Sequence, residues 1–212
     1  MFSVQSLLGR DDEFCALLEA SAQEAVHSVE CLRQVLSDSF TPPSLKRFIQ
    51  ARSKDKMITA QIAELLVSAL VTSFDRQDIE DIAEAIYKVP KTVEKFAERY
   101  LISYEQVREF DFTRQIVLME EAVKSVLEIT RAFRGGAGMG EIKRLDARIQ
   151  RLENDADDVV VALLRKLYAI RGMDVRPIIL KDLIELNEKV VDRCRDASGM
   201  IARVVMKRGG SI

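Results

Sequence analysis

Along this chain apolar residues recur every three or four positions over long stretches, the spacing that places them on one face of an α-helix. In the first stretch these are Phe14, Leu17, Leu18, Ala25, Val29, Leu32 and Leu36, and Asp11 or Asp12 stands where it would cap the free amides of the helix they define. Ser37 to Pro43 breaks the pattern, because Pro42 and Pro43 cannot continue a helix. A second helix is predicted from about Ser44 to Ser73, carried by Leu45, Phe48, Ile49, Ile58, Ile62, Leu65, Leu66, Ala69 and Leu70. After a short turn at Ser73-Phe74-Asp75, Asp75 caps a third helix that reaches about Tyr100, with a kink expected at Pro90.

Ser103 and Gln106 have the spacing of a capping box, which predicts a fourth helix running on to about Arg134. Gly135, Gly136, Gly138 and Gly140 then predict a flexible connector, the clearest boundary in the chain. A fifth helix is expected from about Glu141 to Arg171, stopped by Gly172, and a sixth from near Pro177, a good first-turn residue, to just before Gly209. The last two helices carry regular seams: Leu145, Ile149, Leu152, Ala156, Val159 and Leu163 on one, Leu183, Asn187, Val190, Cys194, Ala197, Ile201 and Val204 on the other. Such spacing drives side-by-side packing at small crossing angles.

The chain also repeats itself. The run Asp81 to Val89 aligns with Asp182 to Val190, and the order of long helix, turn and long helix occurs in both halves. This predicts an all-α protein of two three-helix units, residues 1–101 and 102–212, packed together as an elongated six-helix bundle.

Composition narrows the function. A 212-residue chain that is 48% hydrophobic can bury a substantial core, and four prolines with nine glycines are too few for a sheet protein rich in turns. The net charge of −2 lacks the basic excess expected of a duplex-binding domain, which argues against nucleic acid as the main partner. Cys15, Cys31 and Cys194 are odd in number and far apart, as expected for reduced thiols in a cytosolic protein. No apolar run approaches the length of a bilayer span, and the N-terminus lacks a secretion signal, so the expected location is cytoplasmic.

Candidate chemistry concentrates in the second half. Glu153 and Asp157 lie four residues apart, as do Glu188 and Asp192, and Asp196 extends the second stripe by one turn. Spacing of four stacks side chains on one helical face, where like charges repel by roughly 0.2–0.5 kcal/mol per pair. A bound cation would relieve that repulsion, and hard cations take carboxylate oxygens. The competing reading is a solvated face neutralised by Arg151, Arg193 or Arg195. On a helical projection Glu153 and Asp157 flank their seam, whereas Glu188 and Asp192 project roughly opposite theirs, which predicts a site on the surface. His27 is the single histidine and has no catalytic partner in the sequence, and the glycines at 135–140 lack the Gly-Lys-Ser/Thr ending of a phosphate loop.

The run Leu186-Asn187-Glu188-Lys189-Val190-Val191-Asp192-Arg193-Cys194-Arg195-Asp196-Ala197 resembles the final-helix signature of the PhoU-related Pit accessory proteins, also known as phosphate transport regulators. Leu152 to Asp157 resembles the family's other Glu-x-x-x-Asp motif, Phe74 to Ile79 the turn into its third helix, and Asp12 to Leu18 is similar as well. The resemblance implies two three-helix PhoU-like repeats, no catalysis, and control of inorganic phosphate uptake through a Pit-type transporter or another regulatory protein. Self-association and peripheral contact with the inner face of the membrane are compatible with it. It also implies a surface metal site, with iron or zinc at Glu153, Asp157, Glu188, Asp192 and Asp196.

The first half departs from that pattern. The repeat alignment puts Met57 and Gln61 where Glu153 and Asp157 stand, and Tyr87 and Lys91 where Glu188 and Asp192 stand, so a first-half metal site is not expected. Lys88, Lys91 and Lys95, with Lys46, Arg47, Arg52, Lys54 and Lys56, form either an ordinary solvated face or a basic patch for an acidic partner or an anionic membrane. Two other functions stay open: a metal-free helical adaptor, and a carboxylate di-metal enzyme. The second is disfavoured because the chain has no Glu-x-x-His motif.

Overall fold

The computed structural model of the chain describes residues 4–37, 46–68, 74–170 and 175–209. They form α1 (Val4–Ser37), α2 (Lys46–Ser68), α3 (Arg76–Ile102), α4 (Tyr104–Val107), α5 (Thr113–Arg134), α6 (Met139–Tyr168) and α7 (Arg176–Gly209), and no strand occurs among the described residues. Pro42, Pro43 and Gly172, the breakers read from the sequence, lie outside the described residues.

The helices pack as an extended bundle. In the first half α2 lies against α1 and α3; in the second α6 lies against α5 and α7. The halves are joined by α1 against α5 and α3 against α7, while α5 and α7 also pack on each other. One continuous core results. Phe14, Leu18 and Leu32 of α1, Ile82, Ile86 and Phe96 of α3, Met119 and Ile129 of α5, Ile149 of α6, and Leu183 and Ile184 of α7 are all essentially inaccessible to solvent. Each such side chain contributes roughly 1.5–3 kcal/mol through burial. The predicted seams lie in this core. Leu145, Ile149, Leu152 and Ala156 of α6 are buried, with Val159 and Leu163 half-buried, and all seven seam residues of α7 are buried.

Three expected boundaries are corrected. Asp11 and Asp12 do not cap α1, which already runs from Val4; Asp12 instead accepts a hydrogen bond from Arg134 Nε on α5 at 2.9 Å. Ser103 precedes α4 but its side chain does not cap it, because the hydroxyl donates back to the Arg99 carbonyl at 2.8 Å. The chain then makes only the single turn α4 and leaves the helix so that Phe110 and Phe112 can join Phe96, Tyr100 and Tyr104 in an aromatic cluster, with Phe112 edge-on to Phe96 at 5.4 Å. Helix resumes at Thr113, whose amide donates to Asp111 Oδ1 at 2.9 Å. The glycine connector is a short, hydrogen-bonded turn: Gly135 N donates to the Arg131 carbonyl at 2.9 Å, and Gly136 takes a φ of 70°, a left-handed conformation that favours glycine. Gly140 falls inside α6.

The cap at Asp75 is as expected, its carboxylate accepting from Gln77 N at 3.0 Å. The end of α7 closes over this turn. Lys207 Nζ reaches Asp78 Oδ2 at 3.0 Å, and the Arg208 guanidinium stacks 4.2 Å above the Phe74 ring. Pro90 lies within α3 and is buried.

Candidate functional site

The acidic residues of α6 and α7 come together along the groove where these helices pack. Glu153 is half-buried and Asp157 exposed on α6; Glu188 and Asp196 are half-buried and Asp192 is buried on α7. The expectation that Glu188 and Asp192 point away from the seam onto the surface is therefore corrected. Packing against α3, α5 and α6 leaves α7 little free face, and the flank carrying these two acids turns toward α6. Burial raises the Glu188 carboxyl above the ordinary carboxylate range, and the neighbouring Asp192, Asp157 and Glu153 push in the same direction while Lys189 opposes them.

Arg195 occupies the centre of this cluster. Its Nη1 donates to Glu153 Oε1 on α6 at 2.7 Å, and its Nη2 donates to Asp192 Oδ1 and, at 3.1 Å, to Asp196 Oδ1. Lys189 holds the other oxygen of Asp192, and Arg193 holds Asp196 Oδ2 at 3.0 Å. Burial works against the Arg195 charge, yet the Asp196 hydrogen bond and the fields of Asp192 and Glu153 keep its pKa above the usual arginine value.

The donor set as arranged does not fit a metal. Glu153 gives an oxygen to Arg195, both oxygens of Asp192 and Asp196 are engaged by cations, and no group of three or more Asp, Glu, His or Cys among the described residues is disposed to hold a metal ion.

Beneath Glu188 lies a polar defect in the core. Gln115 of α5 donates to the Ile184 carbonyl at 3.3 Å, but its Oε1 and both amide atoms of Asn187 have no hydrogen-bond partner. They line a cavity of about 10 Å³ with Leu118, Ala156, Glu188 and Val191.

In the first half Met57 and Gln61 are exposed, and the Lys91 ammonium sits 5.8 Å from the centre of the Tyr87 ring. Lys88 pairs with Glu84 at 2.8 Å within α3, and Lys54 pairs with Glu24, so part of the expected basic face is already neutralised. Sequence reasoning missed the acids here. Asp55 of α2 is buried against α1, where Ser21 Oγ donates to it at 3.1 Å; burial, reinforced by Glu24, pushes its carboxyl up to about 6 despite that hydrogen bond. Glu24 and Ser28 are buried on the same side of α1 as Ser21. The polar stripe Ser21, Glu24, Ser28 at helical spacing, set among apolar Ala22, Ala25 and Val29, was the signal that could have found them.

His27 contacts Cys31 and Glu30 on its own helix, with Nε2 3.7 Å from Cys31 Sγ. The three cysteines are free and buried; burial pushes the Cys15 thiol up to about 11 and raises Cys194 as well, which suppresses their reactivity.

This helical arrangement defines a PhoU-like fold. A PhoU-like protein from Shewanella oneidensis MR-1 superposes with a TM-score of 0.72 at 15% identity, covering 94% of this chain and 99% of that one. A PhoU-like phosphate regulatory protein from the same organism gives a TM-score of 0.65 at 14% identity, with the same coverage. No protein-family model matches the chain. In sequence the chain is 26% identical over 216 residues to a Rhizobium meliloti (strain 1021) homologue named "Putative pit accessory protein", covering 96% of this chain and 97% of that protein. The likeness to PhoU-related Pit accessory proteins thus extends over nearly the whole length.

Proposed function

We propose that this chain is a non-enzymatic accessory protein that regulates inorganic phosphate transport through a Pit-type transporter. The observation that carries this reading is the end-to-end match to a homologue whose name describes a Pit accessory role. The PhoU-like fold supports it independently. The chain acts through its helical surfaces, in two PhoU-like three-helix repeats bounded near residues 101 and 102, from the cytoplasmic side of the membrane. No helix among the described residues is long and apolar enough to cross a bilayer, so contact with a transporter is made from outside the hydrocarbon core.

The iron or zinc site at Glu153, Asp157, Glu188, Asp192 and Asp196 is the finer part of the reading. Its acids belong to one groove, but a cation that took Glu153, Asp192 and Asp196 together would have to displace Arg195. That ion-paired state favours the metal-free adaptor as the resting form of the protein, with metal a competitor of Arg195 rather than a structural constituent.

Co-purification tests the partner. Affinity-tagged chain, captured from detergent-solubilised membranes that contain a Pit-type permease, is expected to retain the permease. Recovery no better than from membranes lacking the permease contradicts the proposal.

A further inference from the structure

One end of the bundle gathers large apolar residues that the core does not use. Ile102 ends α3, Tyr168 ends α6 and Ile170 follows it, while Val175 and Ile178 stand at the start of α7; their exposures run from 53% to 85%. Half of the large exposed hydrophobic residues among those described are thus at this end, a concentration that singly scattered surface residues do not produce. The three helix ends are held together. Arg99 of α3 is paired with Asp182 of α7, Ile102 and Ile178 line one open cavity of about 430 Å³, and Tyr168 is within electrostatic reach of Lys181.

The unmatched charge beside Tyr168 is positive, although Glu98, one turn before Ile102 on α3, is an exposed acid. The nearby acids Asp182 and Glu185 are engaged by Arg99 and Lys181. Arg165 and Lys166, in the last turn of α6 beside Tyr168, are exposed. Aliphatic tips, a tyrosine that is apolar in body and polar at its end, and flanking cations are the composition that lies in the headgroup region of an anionic bilayer. A protein groove would be served as well by the aliphatic residues alone, and the uncompensated cations beside the tyrosine favour lipid.

We propose that this end of the bundle is a bilayer-contact surface, in which Ile102, Tyr168, Ile170, Val175 and Ile178 enter the headgroup region while Arg165 and Lys166 meet lipid phosphates. The inference stands apart from the transporter reading, since an accessory protein can act without touching lipid and a lipid-binding protein need not touch a transporter.

Vesicle flotation of the full chain tests it, with phosphatidylglycerol–phosphatidylcholine vesicles compared with phosphatidylcholine alone. The wild type is expected to float with the anionic vesicles and not with the neutral ones. Arg165→Gln with Lys166→Gln is expected to lower partitioning roughly thirtyfold, and Ile102→Ser with Ile178→Ser roughly tenfold. All four positions are exposed, and unchanged helical circular dichroism identifies variants that keep the fold. The proposal is overturned by a wild type that does not float, by partitioning that neither double variant alters, or by loss only on charge reversal of Lys88, Lys91 and Lys95. Flotation only with vesicles that contain a phosphate permease also overturns it, and would make this end a protein-docking surface.

Discussion

Arg195 of α7 reaches across to Glu153 of α6, its Nη1 lying 2.7 Å from the carboxylate, and the same guanidinium holds Asp192 and Asp196 on its own helix. An acidic groove that family likeness would read as a metal site is therefore held closed by an internal cation. Replacing Arg195 by Ala leaves the well-shielded carboxylate of Glu153 uncompensated and that of Asp192 with Lys189 alone, and is expected to destabilise the protein by about 1–3 kcal/mol. The same change opens the groove to cations. Calorimetric titration with zinc is expected to show at least about tenfold tighter binding to Arg195→Ala than to wild type. Equal affinities would mean that Arg195 does not guard the site.

Glu188 makes the groove sensitive to pH. Its carboxyl is raised in the folded protein by burial and then by Asp192 and Asp157, so folding favours its protonated form. Its charge therefore weighs against stability above the folded pKa, and that penalty disappears as pH falls toward the ordinary glutamate range. Glu188→Gln is expected to raise the melting temperature at neutral pH and to lose that advantage in acid. An advantage that does not vary with pH would contradict the assignment.

Asp55 behaves in the same direction in the first half. With its carboxyl raised from 3.8 to about 6, chiefly by burial, the ionised form costs the folded state roughly 2–3 kcal/mol above pH 6, and the cost fades as pH drops through that window. Asp55→Asn keeps an acceptor for Ser21 Oγ. Thermal melts at about pH 7.5 and about pH 4 are expected to show a gain of several degrees at the first and none at the second.

Asn187 interrupts the apolar seam of α7 with an amide that has no hydrogen-bond partner. Substitution by Leu, of similar volume, removes the desolvation penalty and is expected to stabilise the protein by about 1–2 kcal/mol in urea denaturation. A loss of stability would show that the amide is satisfied in solution.

Much of the fold could be read from periodicity because the helices are long and their apolar stripes regular. The seams from Leu145 and from Leu183, and the cap at Asp75, depend on residues close in sequence. Boundaries failed where a distant partner decided them. Asp12 has the chemistry of a cap but is spent on Arg134, more than a hundred residues away. Ser103 followed by Gln106 satisfies the capping-box pattern, but packing of Phe112 against Phe96 and Tyr100 ends the helix there. The acidic stripe was legible from spacing alone. Its neutralisation by Arg195 was one of several open pairings, and the inward turn of Glu188 and Asp192 depends on α7 being packed on three sides. Asp55 and Glu24 were missed because their burial is set by the docking of α2 on α1, of which the stripe Ser21, Glu24, Ser28 marks only the α1 side.

The most direct test of the central claim is the rate of radiolabelled phosphate uptake by cells that carry a Pit-type permease, measured with and without this chain. The accessory role predicts that removing the chain changes uptake at constant permease abundance, and that the chain supplied in trans restores it. Uptake that is the same in both strains would contradict it.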